Sequence, residues 1–573
     1  MKGRPTAIVS LVLALLVSCA PSAPDRPSAI LITLDTTRAD VLGCYGDESA
    51  DSVTPEIDKL ASESVLYERA HTTVPITLPS HASMLTGLYP VRHSVRDNLV
   101  WPLPSAALTL AELASQNGVQ TAAFVSAAVL DRSFGLAQGF EHYEQPNARS
   151  LDATGLGKNW KSREVVARAL KWLRERDRKR PLFLWVHLFD PHSPYEPPPR
   201  FSEGIYARSL GYYGEVAFMD EQIGRLVDAL DDEGELANAT LMIVADHGEA
   251  FGEHGEISHG AYTYESTLRI PMLLRLADGA RAGERSLEIV SVVDVFPTLA
   301  EAMQLPFVVD LDGLSLLGDR VPLERGVYFE SYFGHLAYNW SPLAGWLDAE
   351  GKYVHGSHPR FSKWDGEERD VLAKHPDEVR SYIDAMEAMA ARPRLEVERA
   401  QHPDVELLEE IQALGYTSVA GERDELLEPT ALNSLPDPAE RIDEYNRCLE
   451  AGTLVNQGRY GEAELIFREI LADSPSHFFA LDRLGFALVD QGRFKEAIEP
   501  LQRLADSGPS WVHARLNLGV AKLRTDDFLG AVEDFAAALE MDASVRGQVD
   551  AYTESLRSSG NRKLGERLHE ALR

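Results

Sequence analysis

Ala29-Ile30-Leu31-Ile32-Thr33-Leu34 is a short apolar run that stops on a carboxylate, Asp35, followed by Thr36-Thr37-Arg38. Two later runs have the same form: Leu182–Leu188 leads through Phe189 into Asp190 and His192, and Thr240–Ala245 leads into Asp246-His247. Such short apolar runs, closed by polar residues, suit β-strands. Between and around them lie segments with apolar residues at helical spacing, among them Leu108–Asn117, Arg163–Arg176 and Tyr213–Leu230. Strands alternating with helices of this size predict an α/β domain with a largely parallel sheet sandwiched by helices. Residues that follow the carboxyl ends of parallel strands gather at one cleft. Asp35, Asp190, His192, Asp246 and His247 are therefore candidates for one site, although a single Asp after a strand is commonly a turn residue or helix cap. Carboxylates combined with imidazoles suit zinc or manganese better than calcium.

A fourth stretch, Thr73-Val74-Pro75-Ile76-Thr77-Leu78-Pro79-Ser80-His81, runs into a helix-like segment that closes at Thr86-Gly87. Pro79 suits a first helical turn, which leaves Thr77 at the helix N-terminus. The positive end of the helix dipole there favours an oxyanion and a phosphate or sulfate group. A threonine hydroxyl is a weak nucleophile unless its pKa is lowered, as a metal can do. On these residues alone, Thr77 serves equally well as nucleophile or as a plain helix cap.

The chain of 573 residues has room for two to four domains at ~150 residues each, and 44% hydrophobic with 25% charged residues are globular values. Its 89 acidic against 56 basic side chains give a formal charge of −33, which repels phosphate backbones and argues against nucleic acid as a partner. Three cysteines, Cys19, Cys44 and Cys448, cannot make a disulfide scaffold. Residues 1–19 read as a signal peptide, with Lys2 and Arg4 ahead of an apolar run from Thr6 to Val17 that falls short of the ~20 residues a bilayer span needs. The run ends in Leu16-Val17-Ser18-Cys19, which resembles a bacterial lipobox with Cys19 as the lipidated residue. Residues 20–28, rich in Pro, Ser and Ala, read as a flexible tether. The expectation is a protein lipid-anchored in the bacterial cell envelope, facing the periplasm or the exterior.

Residues 29–375 read as one α/β domain, with 306–375 a smaller mixed subdomain carrying β-like runs at Gly326–Phe329 and Gly351–His355. Helical periodicity from Pro376 to Leu414 and an acidic, Pro-containing linker fill residues 376–441. From 442 to 545 the sequence repeats: Gly458-Arg459-Tyr460-x-x-Ala463, Gly492-Arg493-Phe494-x-x-Ala497 and Asp526-Asp527-Phe528-x-x-Ala531 are spaced 34 residues apart. Leu484-Gly485 returns as Leu518-Gly519 and Pro475 as Pro509 at the same period, with Ala451 at the equivalent position of the first repeat. A period of 34 with small residues where paired helices touch is the tetratricopeptide (TPR) signature, here three repeats with residues 546–573 as a cap. Such a solenoid is either a structural appendage or a concave surface for a protein or peptide partner.

Asp35-Thr36-Thr37-Arg38-Ala39-Asp40, Thr77-Leu78-Pro79-Ser80-His81 through Thr86-Gly87, and Asp246-His247-Gly248-Glu249 resemble the sulfatase-like branch of the alkaline phosphatase superfamily over about residues 28 to 375. The resemblance implies a metal site of Asp35, Asp246 and His247, with Thr77 as nucleophile and further ligand. It gives Asn98 as the asparagine that hydrogen-bonds the transferred group, and His259 as the second-site histidine. His187 and His192, around Asp190-Pro191, resemble the remaining substrate or second-metal positions. His259 with His192 or Asp190 then either holds a second metal or protonates the leaving oxygen.

The sequence departs from true sulfatases where they oxidise a Cys or Ser to formylglycine: that position is Thr77, and His81 stands in place of an arginine. Threonine at the nucleophile position is instead what phosphodiesterase and phosphoethanolamine-transferase relatives use. The resemblance thus implies a hydrolase of phosphate or sulfate esters, carrying one or two divalent ions and acting on a small or envelope-derived anionic ester through a phosphothreonine-type intermediate. A sulfuric ester hydrolase, a phosphoethanolamine-type transferase and a TPR scaffold with an inactive hydrolase domain are the alternatives.

Overall fold

The computed structural model describes residues 26–46, 52–98, 101–146, 159–306, 310–318, 320–364, 366–396, 426–508, 511–541, 543–558 and 561–573. The expected signal peptide with Cys19, most of the tether, Pro509 and residues 397–414 of the expected helical run lie outside them.

The larger sheet has nine strands: β1 (Ser28–Leu34), β2 (Val65–His71), β3 (Gln120–Phe124), β4 (His142–Glu144), β5 (Leu182–Leu188), β6 (Ala239–Ala245), β7 (Arg269–Ile270), β8 (Met272–Arg275) and β9 (Arg285–Ser291). Their order is β4-β3-β5-β1-β6-β8-β2-β7, with β9 pairing β2. The five strands from β4 to β6 are parallel, as the alternating pattern predicts. Every residue of β1, β5 and β6 is buried, which is why these runs are apolar throughout and do not alternate.

Beyond β6 the sheet turns mixed, with β8 antiparallel to both β6 and β2. A parallel return needs a long crossover, usually a helix. The segment between β6 and β7 instead forms irregular loops that carry His247 and His259, with a 3-10 turn at Glu253–Gly255 and the short helix Glu265–Leu268.

Helices Thr77–Thr86, Leu110–Gln116, Ser162–Glu175 and Tyr212–Asp232 flank this sheet. Ser162–Glu175 buries Val165, Val166, Ala169 and Leu173, one stripe of its surface. Leu110–Gln116 is started by a capping box between Thr109 and Glu112. A second, antiparallel sheet of β10 (Val327–Ser331), β11 (Leu343–Leu347), β12 (Gly351–His355) and β13 (Arg360–Lys363) follows. Helix Val379–Ala390 packs against it through Tyr382 and Met386.

Within the helical run expected from Pro376 to Leu414, the described helix Val379–Ala390 stops at Ala390, and 391–396 are not helical. Pro393 explains the stop, since it lacks an N–H and disfavours helical backbone at Arg392 before it.

Among the described residues, eight α-helices between Ile442 and Ala571 form four antiparallel pairs. Gly458, Gly492 and Asp526 each hold the turn inside a pair at φ of 70°, 72° and 65°, so the repeat begins on the left-handed residue that ends a helix. Gly485 serves a different purpose: a Cβ there would sit 2.3 Å from Leu501 on the next helix. No helix among the described residues is long and apolar enough to cross a membrane.

Candidate active site

β1 and β6 are adjacent and parallel, so the residues that follow them leave the sheet side by side. The ladder runs on one step, Asp35 N–H donating to Leu188 O (3.0 Å) and Asp246 N–H to Leu34 O (3.1 Å), which fixes both backbones. Asp35, Asp246 and His247 are fully buried and offer ligand atoms within 4.8 Å of one another. Asp246 Oδ1 accepts the Thr36 and His247 N–H groups at 3.1 and 2.7 Å. Asp246 Oδ2 and both oxygens of Asp35 have no hydrogen-bond partner.

Burial, and for Asp246 also the charge of Asp35, holds both carboxyls well above their ordinary range. Two such groups left facing each other in a dry interior are strongly unfavourable unless a cation sits between them. The donor set of two carboxylates and an imidazole fits one divalent ion. His247 Nδ1–H donates to Gly248 O (3.0 Å), so Nε2 carries the lone pair towards this group. Gly248 is required here because a Cβ would lie 2.1 Å from the Ser266 carbonyl oxygen.

Thr77 is the first residue of a helix in which every residue is buried. Its Oγ1 lies 3.4 Å from His247 Nε2. Asn98 accepts the Leu78 N–H through Oδ1 at 2.8 Å, which leaves its buried Nδ2, a donor, without a protein partner. His81 braces the same turn. Its Nδ1–H donates to Thr77 O (2.8 Å), and its Nε2 accepts from the Thr33 hydroxyl (3.1 Å), itself a partner of Trp185 Nε1 (2.9 Å).

His81, His187 and Asp246 also lie close enough together to share an ion. With Nδ1–H committed to a carbonyl and Nε2 to a hydroxyl, however, His81 has no lone pair to give one. His187 Nε2 lies 3.2 Å from Asp35 Oδ2, and its Nδ1 contacts Ser126 Oγ at 2.8 Å.

His259 stands over His247, ring centroids 4.5 Å apart, and His192 meets His259 edge-on at 5.5 Å. His259 Nδ1–H donates to Glu249 Oε1 (3.0 Å), and Glu249 Oε2 accepts the Tyr195 hydroxyl (2.9 Å). Burial opposes charge on His259, yet the Glu249 carboxylate, with the charges of Asp35 and Asp246, raises the ring above the usual imidazole range. His192, stacked on Phe189 with Nδ1–H on Ser193 O (2.7 Å), is pushed down to about 4 by burial and by His259.

The structure therefore brings Asp35, Thr77, Asn98, His192, Asp246, His247 and His259 to one end of the parallel strands. Asp190 does not join them. Its Oδ2 accepts both the N–H and the hydroxyl of Ser162 at 2.6 Å, capping helix Ser162–Glu175, while Lys161 lies 3.3 Å from Oδ1. Glu249 is the residue that sequence reasoning passed over. It stands in Asp246-His247-Gly248-Glu249, but its partner His259 lies ten residues on, and only the fold shows that they meet.

A family model described as Sulfatase matches residues 27–305, and one described as Tetratricopeptide repeat matches residues 449–510 and 483–545. An arylsulfatase of Clostridium perfringens is 24% identical over 379 residues, covering 51% of this chain and 78% of the relative. The human N-acetylgalactosamine-6-sulfatase is 26% identical over 359 residues, covering 52% and 66%. Among solved structures, a phosphonate monoester hydrolase of Agrobacterium radiobacter superposes with a TM-score of 0.53 at 21% identity, over 64% of this chain and 96% of its own. A protein solved with its substrate D-glucosamine-2-N,6-O-disulfate gives 0.54 at 19% identity, over 63% and 97%. At these identities the structural likeness speaks to the fold alone.

Proposed function

We propose that this chain, a sulfatase-like catalytic domain fused to a C-terminal TPR-like helical region, is a divalent-metal-dependent hydrolase of phosphate esters that uses Thr77 as nucleophile. The observation that carries the reading is the Thr77 hydroxyl at the start of a buried helix, 3.4 Å from His247 Nε2, in a site where both Asp35 oxygens and Asp246 Oδ2 accept no hydrogen bond. Threonine carries a methyl on its hydroxyl-bearing carbon, so oxidation there gives a ketone and not the aldehyde of formylglycine. The hydroxyl itself is left to act.

Asp35, Asp246, His247 and Thr77 would hold the ion. Bound there, a divalent cation supplies Lewis-acid chemistry, lowering the pKa of a nearby hydroxyl and offsetting negative charge. Thr77 Oγ1 attacks phosphorus as its proton leaves to water; an O–P bond forms, and the bond to the ester oxygen breaks with its electron pair. Asn98 Nδ2 and the helix N-terminus face the charge that develops on the equatorial oxygens. His259, oriented by Glu249, gives a proton to the departing oxygen. Water then attacks phosphorus and releases Thr77.

Paired nitrophenyl substrates test the reading: phosphate monoester, phosphodiester and sulfate, assayed on protein whose metal content is measured. Phosphoester turnover that is lost in Thr77→Ala supports it. Sulfate turnover dominating would select the second reading, a sulfuric ester hydrolase, which the names of the curated relatives favour. The envelope location is part of the same proposal and rests on the lipobox-like Leu16-Val17-Ser18-Cys19. Labelled fatty acid should enter the expressed protein and be absent from Cys19→Ser; equal labelling of both would remove the anchor.

A further inference from the structure

The segment from Glu249 to His259 is gripped from two sides. On one side Arg38 bonds Glu253 Oε1 (2.6 Å) and the Glu249 carbonyl (3.0 Å). On the other lies helix Ile442–Asn456, the first helix of the repeat region. There the Tyr445 hydroxyl donates to the His259 carbonyl at 2.7 Å, and Asn446 Nδ2 donates to the Gly255 carbonyl at 2.9 Å. Ile442 packs so close to Gly255 that a Cβ there would lie 2.8 Å from its Cγ2. Gly255 also holds φ +86°, so only glycine suits this approach.

Tyr445 is buried, with Tyr262 and Tyr338 of the catalytic domain at ring distances of 5.8 and 5.9 Å. Trp340 bonds Glu444 (3.3 Å) and Arg360 bonds Asp437 (2.6 Å) along the same seam. A helix tied in this way is a wall of the catalytic domain as much as the start of a solenoid.

We infer that Tyr445 is a positioning residue for His259, so that the first repeat helix forms part of the catalytic unit. The inference rests on the proposed role of His259 as the group that protonates the leaving oxygen. Glu249 fixes the imidazole through Nδ1, and Tyr445 fixes the backbone of the same residue through its carbonyl. Both anchors are needed because a proton donor acts only within hydrogen-bond reach of its target, and a shift of about 1 Å can cost about a hundredfold.

A bond that served stability alone would, when removed, slow all substrates equally. A positioning bond has a different signature, since protonation matters for a poor leaving group and little for a good one. The test uses the full chain with Tyr445→Phe, which keeps the ring and deletes the hydroxyl, assayed on a phenyl and a dinitrophenyl ester of the same acid. The expected result is a fall of about tenfold in kcat on the phenyl ester, a change within about twofold on the dinitrophenyl ester, and KM unchanged. Glu249→Gln should show the same pattern, more strongly.

If Tyr445→Phe folds poorly, Asn446→Ala releases the same loop at Gly255 and should repeat the pattern on a smaller scale. Equal losses on both esters, or no loss, would overturn the inference while leaving the proposed function intact. A Thr77→Ala variant with full activity would overturn that function itself, whatever Tyr445 does.

Discussion

Thr77→Ala should lower turnover at least about a thousandfold, because it removes the atom that attacks and leaves only binding and charge stabilisation. Thr77→Ser, which keeps the hydroxyl at the same helix start, should stay within about tenfold of the parent. The contrast matters because Thr77 is almost fully buried, 1% exposed, and a loss on truncation alone could come from disturbed packing. His81 and Asn98 contact the backbone of this turn and not its side chain, so they hold it in place in both variants. Steady-state rates on the best nitrophenyl substrate, with thermal melts of all three proteins, check this. A serine variant as inactive as the alanine one would point to shape at Thr77 and not to its hydroxyl.

The second large effect is expected at Asp246, and it reverses sign with metal. Asp246→Asn keeps Oδ1, which accepts the Thr36 and His247 N–H groups, and replaces the partnerless Oδ2 by an amide. In chelator the parent holds two buried carboxylates, each raised well above the usual range by burial and, for Asp246, by Asp35. A carboxyl raised on folding binds protons more tightly in the native state, so its cost begins as pH rises through the ordinary Asp range and keeps growing up to the raised native value. The metal-free variant should therefore melt at or above the metal-free parent at neutral pH.

Added zinc or manganese should stabilise the parent by about 3 kcal/mol at a hundredfold excess over Kd and leave the variant unmoved. Turnover should be lost in the variant under both conditions. Calorimetric melts at neutral pH, with chelator and with metal, test both halves. A variant that melts below the parent in chelator would mean that Asp246 supports the fold in its own right.

The frame of the molecule was legible because apolar runs, helical stripes and a period of 34 residues are local signals. β5 spans the predicted Leu182–Leu188, and Thr77 is the first residue of the helix predicted to start there. Asp190 shows where local reading ends. It follows a parallel strand one residue later than Asp35 and Asp246 do, after Phe189, and its carboxylate is engaged by Ser162, 28 residues earlier, whose N–H and hydroxyl it accepts. Nothing near Asp190 in the chain announces that partner. Glu249 was in plain view, but its part in orienting His259 depends on how the intervening loop folds back. Tyr445 is the extreme case, 186 residues from the His259 carbonyl it bonds and on the first helix of a repeat. Periodicity reports what a residue does for its own element, and these three act on another.

The covalent intermediate at Thr77 is the centre of the account, and rapid acid quench followed by peptide mass spectrometry tests it most directly. With a nitrophenyl phosphoester in turnover, the peptide that contains Thr77 should carry one phosphoryl group on that residue and lose it as substrate is exhausted. Steady turnover with no modified Thr77 at any quench time, and the same rate in Thr77→Ala, would contradict the account.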